Sequence, residues 1–263
     1  MDFSRRRLLG FGALALLAAC GKRPAPAAPV TPAAELTVTP PTLATPSLSE
    51  LVYRSSIGDV QVVIMRPRDV AGELPVCLAL HGFGADARQF VELGLPPLLT
   101  ATDRAGLPPF AVVAVDGGEW TAEAQKMLVD ELPGWLVAAG LAPTPFAVMG
   151  ISTGAVAAYT YAQEPGPTVV AMVSPAVFPD WAAASDFGLR DEVRWAETNP
   201  LTGTSSVPIA VWCGEDDELA DAARALAART DAESFFAPGA GHTEEYWASV
   251  MPDVLRHIGK SIG

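Results

Sequence analysis

Short, unbroken apolar runs alternate along this chain with longer stretches in which apolar residues recur at helical spacing. The unbroken runs are Pro75–Leu80, Phe110–Val115, Phe146–Met149, Thr168–Val173 and Val207–Cys213. A strand buried on both faces needs no polar alternation, so such runs predict the strands of a mostly parallel sheet covered by helices on both sides. Helical patterns fall at 87–93, 97–104, 155–159, 219–229 and 243–258, and over 122–139, where Pro133 and Gly134 predict a kink. Leu51–Ser56 and Val60–Met65 flank Ile57-Gly58-Asp59 and read as a hairpin, which adds an antiparallel N-terminal edge. Ser234–Phe236 reads as a short strand. Residues 174–207 are rich in large aromatics (Phe178, Trp181, Phe187, Trp195) and show neither period, so they are expected to be irregular. With no internal repeat and no second core, the pattern predicts one doubly wound α/β domain over residues 50–263.

The N-terminus follows a different logic. The charged segment Ser4–Leu9, with Arg5, Arg6 and Arg7, precedes an apolar stretch from Phe11 to Leu17 that is too short to span a bilayer comfortably. Ser4-Arg5-Arg6-Arg7-Leu8-Leu9 resembles a twin-arginine export signal. Leu17-Ala18-Ala19-Cys20 resembles a bacterial lipobox, in which the cysteine becomes the lipidated N-terminus. Residues 1–20 are therefore expected to be a lipoprotein signal peptide. Residues 21–49 are rich in Pro, Ala and Thr and cannot bury enough surface to offset their ordering entropy. They are expected to tether the domain to a lipid anchor on the extracytoplasmic face of the cell membrane.

Composition narrows the partners. The chain has 263 residues, half of them apolar, and a formal net charge of −13. Neutralising phosphates requires a basic patch, so a nucleic-acid partner is not expected. No Cys/His cluster has metal-ligand spacing and no phosphate-binding loop is present, so neither a metal nor a cofactor is expected. Cys77 and Cys213 each lie in or at the end of an apolar run and read as small core residues. Their spacing neither requires nor forbids a disulfide.

Candidate chemistry centres on Gly150-Ile151-Ser152-Thr153-Gly154, where a buried strand runs through G-x-S-x-G into a helix. Turning so sharply forces Ser152 into a strained backbone conformation and exposes its hydroxyl, while the flanking glycines remove clashing side chains. The N–H of Thr153 then points where an oxyanion would form, at the positive end of the helix.

A serine nucleophile needs a base, and the base an orienting acid. Of the three histidines, His257 lies within the last helical pattern and reads as a helix-surface residue. His81 follows the first central strand and reads as a brace for the loop behind it. His242 lies in Gly239-Ala240-Gly241-His242, a glycine-loosened loop at the carboxyl end of a strand, where open α/β sheets place their chemistry. It is the candidate base. The acid is expected after the penultimate strand, where Glu215, Asp216 and Asp217 compete and spacing alone leaves all three open; a residue not so used is expected to turn to solvent or to cap the helix starting near Leu219.

Taken together, His81-Gly82, Gly150-x-Ser152-x-Gly154, Gly214-x-x-Asp217 and Gly241-His242 with Tyr246-Trp247 resemble the α/β-hydrolase superfamily. They look most like its esterase D-like group, which includes feruloyl esterases and mycobacterial mycolyltransferases. The resemblance runs from about Leu51 to the C-terminus. It implies Asp217 as the acid and Phe83, after His-Gly, as a second oxyanion donor beside Thr153. It also implies a small-molecule or lipid ester as substrate and an acyl-enzyme on Ser152. Residues 174–207 are short for a cap, so a small cap or none, over an open pocket, is expected. Acyl transfer to an alcohol would use the same residues. A non-catalytic binding lipoprotein would have no need of Ser152, His242 and a strand-end acid together.

Overall fold

In each central strand, successive side chains enter two different cores. The computed structural model describes residues 47–262; the expected signal peptide, Cys20 and nearly all of the expected tether lie outside them. The described residues belong to one compact unit. Its strands are β1 (Leu48–Ser55), β2 (Gly58–Met65), β3 (Val76–Leu80), β4 (Ala111–Val115), β5 (Ala147–Ile151), β6 (Val169–Val173), β7 (Ile209–Gly214) and β8 (Glu233–Ala237). They form one sheet in the order β1-β2-β4-β3-β5-β6-β7-β8. The β1–β2 and β2–β4 pairs are antiparallel and all the others parallel.

The helices are α1 (Gln89–Glu92), α2 (Leu95–Arg104), α3 (Ala122–Asp130), α4 (Leu132–Ala138), α5 (Thr153–Tyr161), α6 (Trp181–Phe187), α7 (Glu192–Thr198), α8 (Ala220–Thr230) and α9 (Glu244–Lys260). Leu78 and Leu80 of β3, Val148 of β5, Met172 of β6 and Val211 of β7 pack in one core with residues of α3, α4, α5 and α8. Ala79, Met149, Val173 and Trp212 pack in the other with residues of α1, α2 and α9. Burial on both faces is why these strands carry no polar alternation. Cys77 and Cys213 fall in opposite cores and are free thiols, so they do not pair.

Three expectations are corrected. The helix expected over 122–139 is two helices broken at Glu131, whose φ of −110° departs from helical geometry, and Pro133 sits in the first turn of α4, where its missing N–H costs nothing. Residues 174–207 are not wholly irregular, for α6 and α7 lie within them. Asp180 and Asp191 cap these helices by accepting from the N–H groups of Ala183 and Arg194. Trp181 and Trp195 pack between them against a small third core of Ala176, Phe178, Ala184 and Leu219. His257, expected on a helix surface, is partly buried, its ring edge-on to that of Trp212.

Candidate active site

β5 delivers Ser152 through a turn that only glycine neighbours permit. Ser152 has φ 54° and ψ −118°, a conformation of high cost for a residue with a side chain. A Cβ on Gly150 would lie 2.1 Å from the carbonyl oxygen of Gly154, and one on Gly154 would lie 2.1 Å from that of Leu80. Both glycines are therefore needed for backbone to pass against backbone. The first lets α5 fold back over β5; the second seats α5 on the end of β3. The amide of Ser152 donates to Val173, and its carbonyl accepts from Ala176, so the neighbouring strand fixes the turn.

β7 and the loop after β8 deliver the other two groups. Gly214 approaches Ala240 so closely that a Cβ there would meet its carbonyl at 2.0 Å. The N–H groups of Glu215 and Asp216 donate to Ala237 and Ala240, which locks the histidine loop onto the end of β7. His242 Nδ1 then lies 2.9 Å from Asp217 Oδ2 and its Nε2 lies 3.1 Å from Ser152 Oγ. The imidazole packs edge-on against Trp247 at 5.1 Å between ring centres. Of the three competing acids only Asp217 is buried; Glu215 and Asp216 are exposed. Burial pushes the Asp217 pKa up, but the hydrogen bonds with His242 and the Leu219 N–H outweigh it and hold the carboxyl below its ordinary value. Asp216, expected to turn to solvent or to cap the next helix, does the first: it is exposed and α8 has no side-chain cap, while Asp217 Oδ1 accepts from Leu219 N–H at 2.9 Å.

The loop expected to supply an oxyanion donor is braced from several sides. Gly82 lies against the serine: a Cβ there would meet Ser152 Cβ at 3.5 Å. The Gly82 N–H donates to Gln89 Oε1 at 3.1 Å, and His81 Nδ1 lies 2.8 Å from the Gly82 carbonyl oxygen. His81 is fully buried, with Nε2 3.3 Å from Asp116 Oδ1 but off the line of a hydrogen bond. Its structural reading as a brace agrees with this geometry.

Trp120 and Arg194 complete the brace, and sequence reasoning missed both. Trp120 takes a left-handed backbone (φ 55°), lays its ring over Gly117 and donates Nε1–H to the His81 carbonyl at 2.9 Å. A Cβ on Gly117 would lie 2.1 Å from that ring. Arg194, on α7, donates from Nε and Nη2 to the Trp120 carbonyl at 3.3 and 3.1 Å. A cavity of about 800 Å³ opens between α3, α5, α6 and α7, with Phe83 and Thr153 in its wall. No sequence pattern signals these contacts, which join residues far apart in the chain.

This sheet order, with a strained serine between β5 and α5, defines an α/β-hydrolase fold with a small two-helix cap. Solved structures of the same fold include a ferulic acid esterase, 18% identical over 81% of this chain and 97% of its own, with a TM-score of 0.63. An S-formylglutathione hydrolase from Agrobacterium tumefaciens is 15% identical over 84% of this chain and 98% of its own, with a TM-score of 0.67. A fluorophosphonate-binding serine hydrolase of Staphylococcus aureus is 14% identical over 81% and 98%, with a TM-score of 0.62. No protein-family model matches the sequence, and no curated protein does.

Proposed function

We propose that this chain is a serine hydrolase that cleaves carboxylic esters through an acyl-enzyme on Ser152. The observation that carries the reading is the unbroken line from Ser152 Oγ through His242 to Asp217. His242 Nε2 takes the hydroxyl proton as Ser152 attacks the ester carbonyl. Asp217 fixes the imidazole through Nδ1–H and stabilises it once charged. The leaving alcohol receives the proton from His242, and water, activated by the same imidazole, releases the acid.

Thr153 and Phe83 N–H groups hold the oxyanion in this scheme. The first-turn N–H groups of α5 have no partner within the helix and lie at its positive end. The close approach of Gly82 to Ser152 supports the next amide, that of Phe83, as the second donor. Losing one such donor costs about 3 kcal/mol of transition-state stabilisation. No metal or cofactor has a part in this chemistry.

The esterase D-like resemblance and the esterases among the structural neighbours support a small-molecule or lipid ester as substrate. We also propose export and anchoring through a lipid on Cys20, a reading supported by the sequence of residues 1–20.

Ser152→Ala tests the reading. Turnover of 4-nitrophenyl acetate should fall to background, and a fluorophosphonate probe should label the wild type at Ser152 and leave the variant unlabelled. Turnover within about tenfold of wild type would end it.

A further inference from the structure

Among the charged residues lining the cavity beside Ser152, Arg194 alone is half-buried. Arg190, Glu119, Glu123, Asp191 and Glu197 also line it, but all are exposed. The cavity wall is mixed, and its apolar part is formed by residues such as Val156, Phe178, Leu189 and Trp195. A guanidinium has five N–H donors in a fixed fork. Arg194 spends Nε and Nη2 on the Trp120 carbonyl, which leaves the Nη1 edge without a hydrogen-bond partner among the described residues. No carboxylate among them lies within ion-pair distance of it. Burial pushes its pKa down, against the upward pull of Asp191, Glu123 and Glu197, as expected for a cation withdrawn from water without a direct counter-ion.

A partly desolvated fork beside apolar side chains is suited to a planar anion, which it can hold by two parallel hydrogen bonds. The four exposed acids are screened by solvent and salt. They still disfavour a polyanion at the mouth, so a single negative charge fits best. Resting on the esterase reading above, we propose that the cavity receives the part of the ester that bears one carboxylate, with Arg194 as the group that recognises it.

Two matched pairs of esters test this whichever side of the scissile bond enters the cavity. The first pair is 4-acetoxybenzoate and 4-acetoxybenzamide. The second is mono-4-nitrophenyl glutarate and its terminal amide. In at least one pair the carboxylate should exceed the amide in kcat/KM by about tenfold or more, the range of a charge-assisted hydrogen bond. Arg194→Gln should bring that ratio to about one, and Arg194→Lys should retain only part of it, since the charge remains and the fork is lost. A merely structural arginine would lower both members of a pair together and leave the ratio standing.

Calorimetric titration of the same carboxylates into Ser152→Ala, with and without Arg194→Gln, reads recognition apart from chemistry. If the wild type hydrolyses none of these esters while binding depends on Arg194, the esterase reading fails and the recognition stands. The inference is overturned if neither carboxylate is preferred and neither binds through Arg194. A preference for a matched trimethylammonium ester, drawn by the acidic mouth, would overturn it equally.

Discussion

Asp217 makes two hydrogen bonds that pull its carboxylate in different directions, and this decides what a substitution there does. One oxygen meets His242 and the other the Leu219 N–H. Asparagine keeps an acceptor for Leu219 but presents an amide to Nδ1, which favours the wrong imidazole tautomer. Asp217→Asn should therefore lower kcat by about 10⁴-fold, while the melting temperature falls by only a few degrees. Asp216→Ala should move neither quantity, since that side chain is exposed and has no hydrogen bond among the described residues. Kinetics and thermal melts on the two variants check both outcomes. Gly214-x-x-Asp217 pointed to this residue through family resemblance. What spacing could not supply was burial, for three consecutive acids differ only in the direction each faces.

Elements, not residues, explain why the elbow tolerates so little change. Gly154 lets α5 touch β3, and its missing Cβ leaves room for a backbone oxygen that cannot rotate away. Gly154→Ala should cost at least about 3 kcal/mol, at the upper end of overpacking penalties, and lower the melting temperature by about 6–12 °C. Gly82→Ala meets Ser152 Cβ at 3.5 Å and the Ile151 carbonyl oxygen at 3.6 Å, both ordinary contacts, and should fold with a melting temperature close to that of wild type. Equal losses in both would count against the steric account.

The same scale shows what the sequence discloses. Val76–Leu80, Ala147–Ile151 and Val169–Val173 were legible because burial on both faces writes an unbroken apolar run. α6 and α7 were not, because each is too short for its period to stand out and each shares a small local core with large aromatics. Their signals were Asp180 and Asp191, capping residues ahead of the helices they start. The link from Arg194 through Trp120 to His81 has no signature at all, since two backbone carbonyls accept its hydrogen bonds.

Seen across the whole molecule, the carboxyl end of the sheet concentrates two His–Asp pairs, one on each side of Ser152. His81 and Asp116 follow β3 and β4; Asp217 follows β7 and meets His242 beyond β8. The approach of His81 Nε2, 3.3 Å from its Oδ1, is the main cause that holds the Asp116 pKa down. For Asp217, burial acts in the opposite sense and is outweighed by His242 and the Leu219 N–H. Both carboxyls thus bind protons less readily in the folded chain than in the unfolded one. Their contribution to stability is fully present above the unfolded carboxylate pKa of about 4 and is lost as pH falls through the lower folded values. Asp116 is partly exposed, so solvent screening weakens its share. Urea unfolding should show a small loss below about pH 6.5, where His257, its pKa lowered by burial, takes up a proton more readily in the unfolded chain, and a steeper decline beginning near pH 4. Asp217→Asn should be less stable at neutral pH yet lose less between pH 5 and 2, because the amide has no proton to gain, and Asp116→Asn should show a smaller effect in the same direction. An acid decline equally steep in wild type and Asp217→Asn would mean that the loss arises from the other carboxylates of this strongly acidic chain.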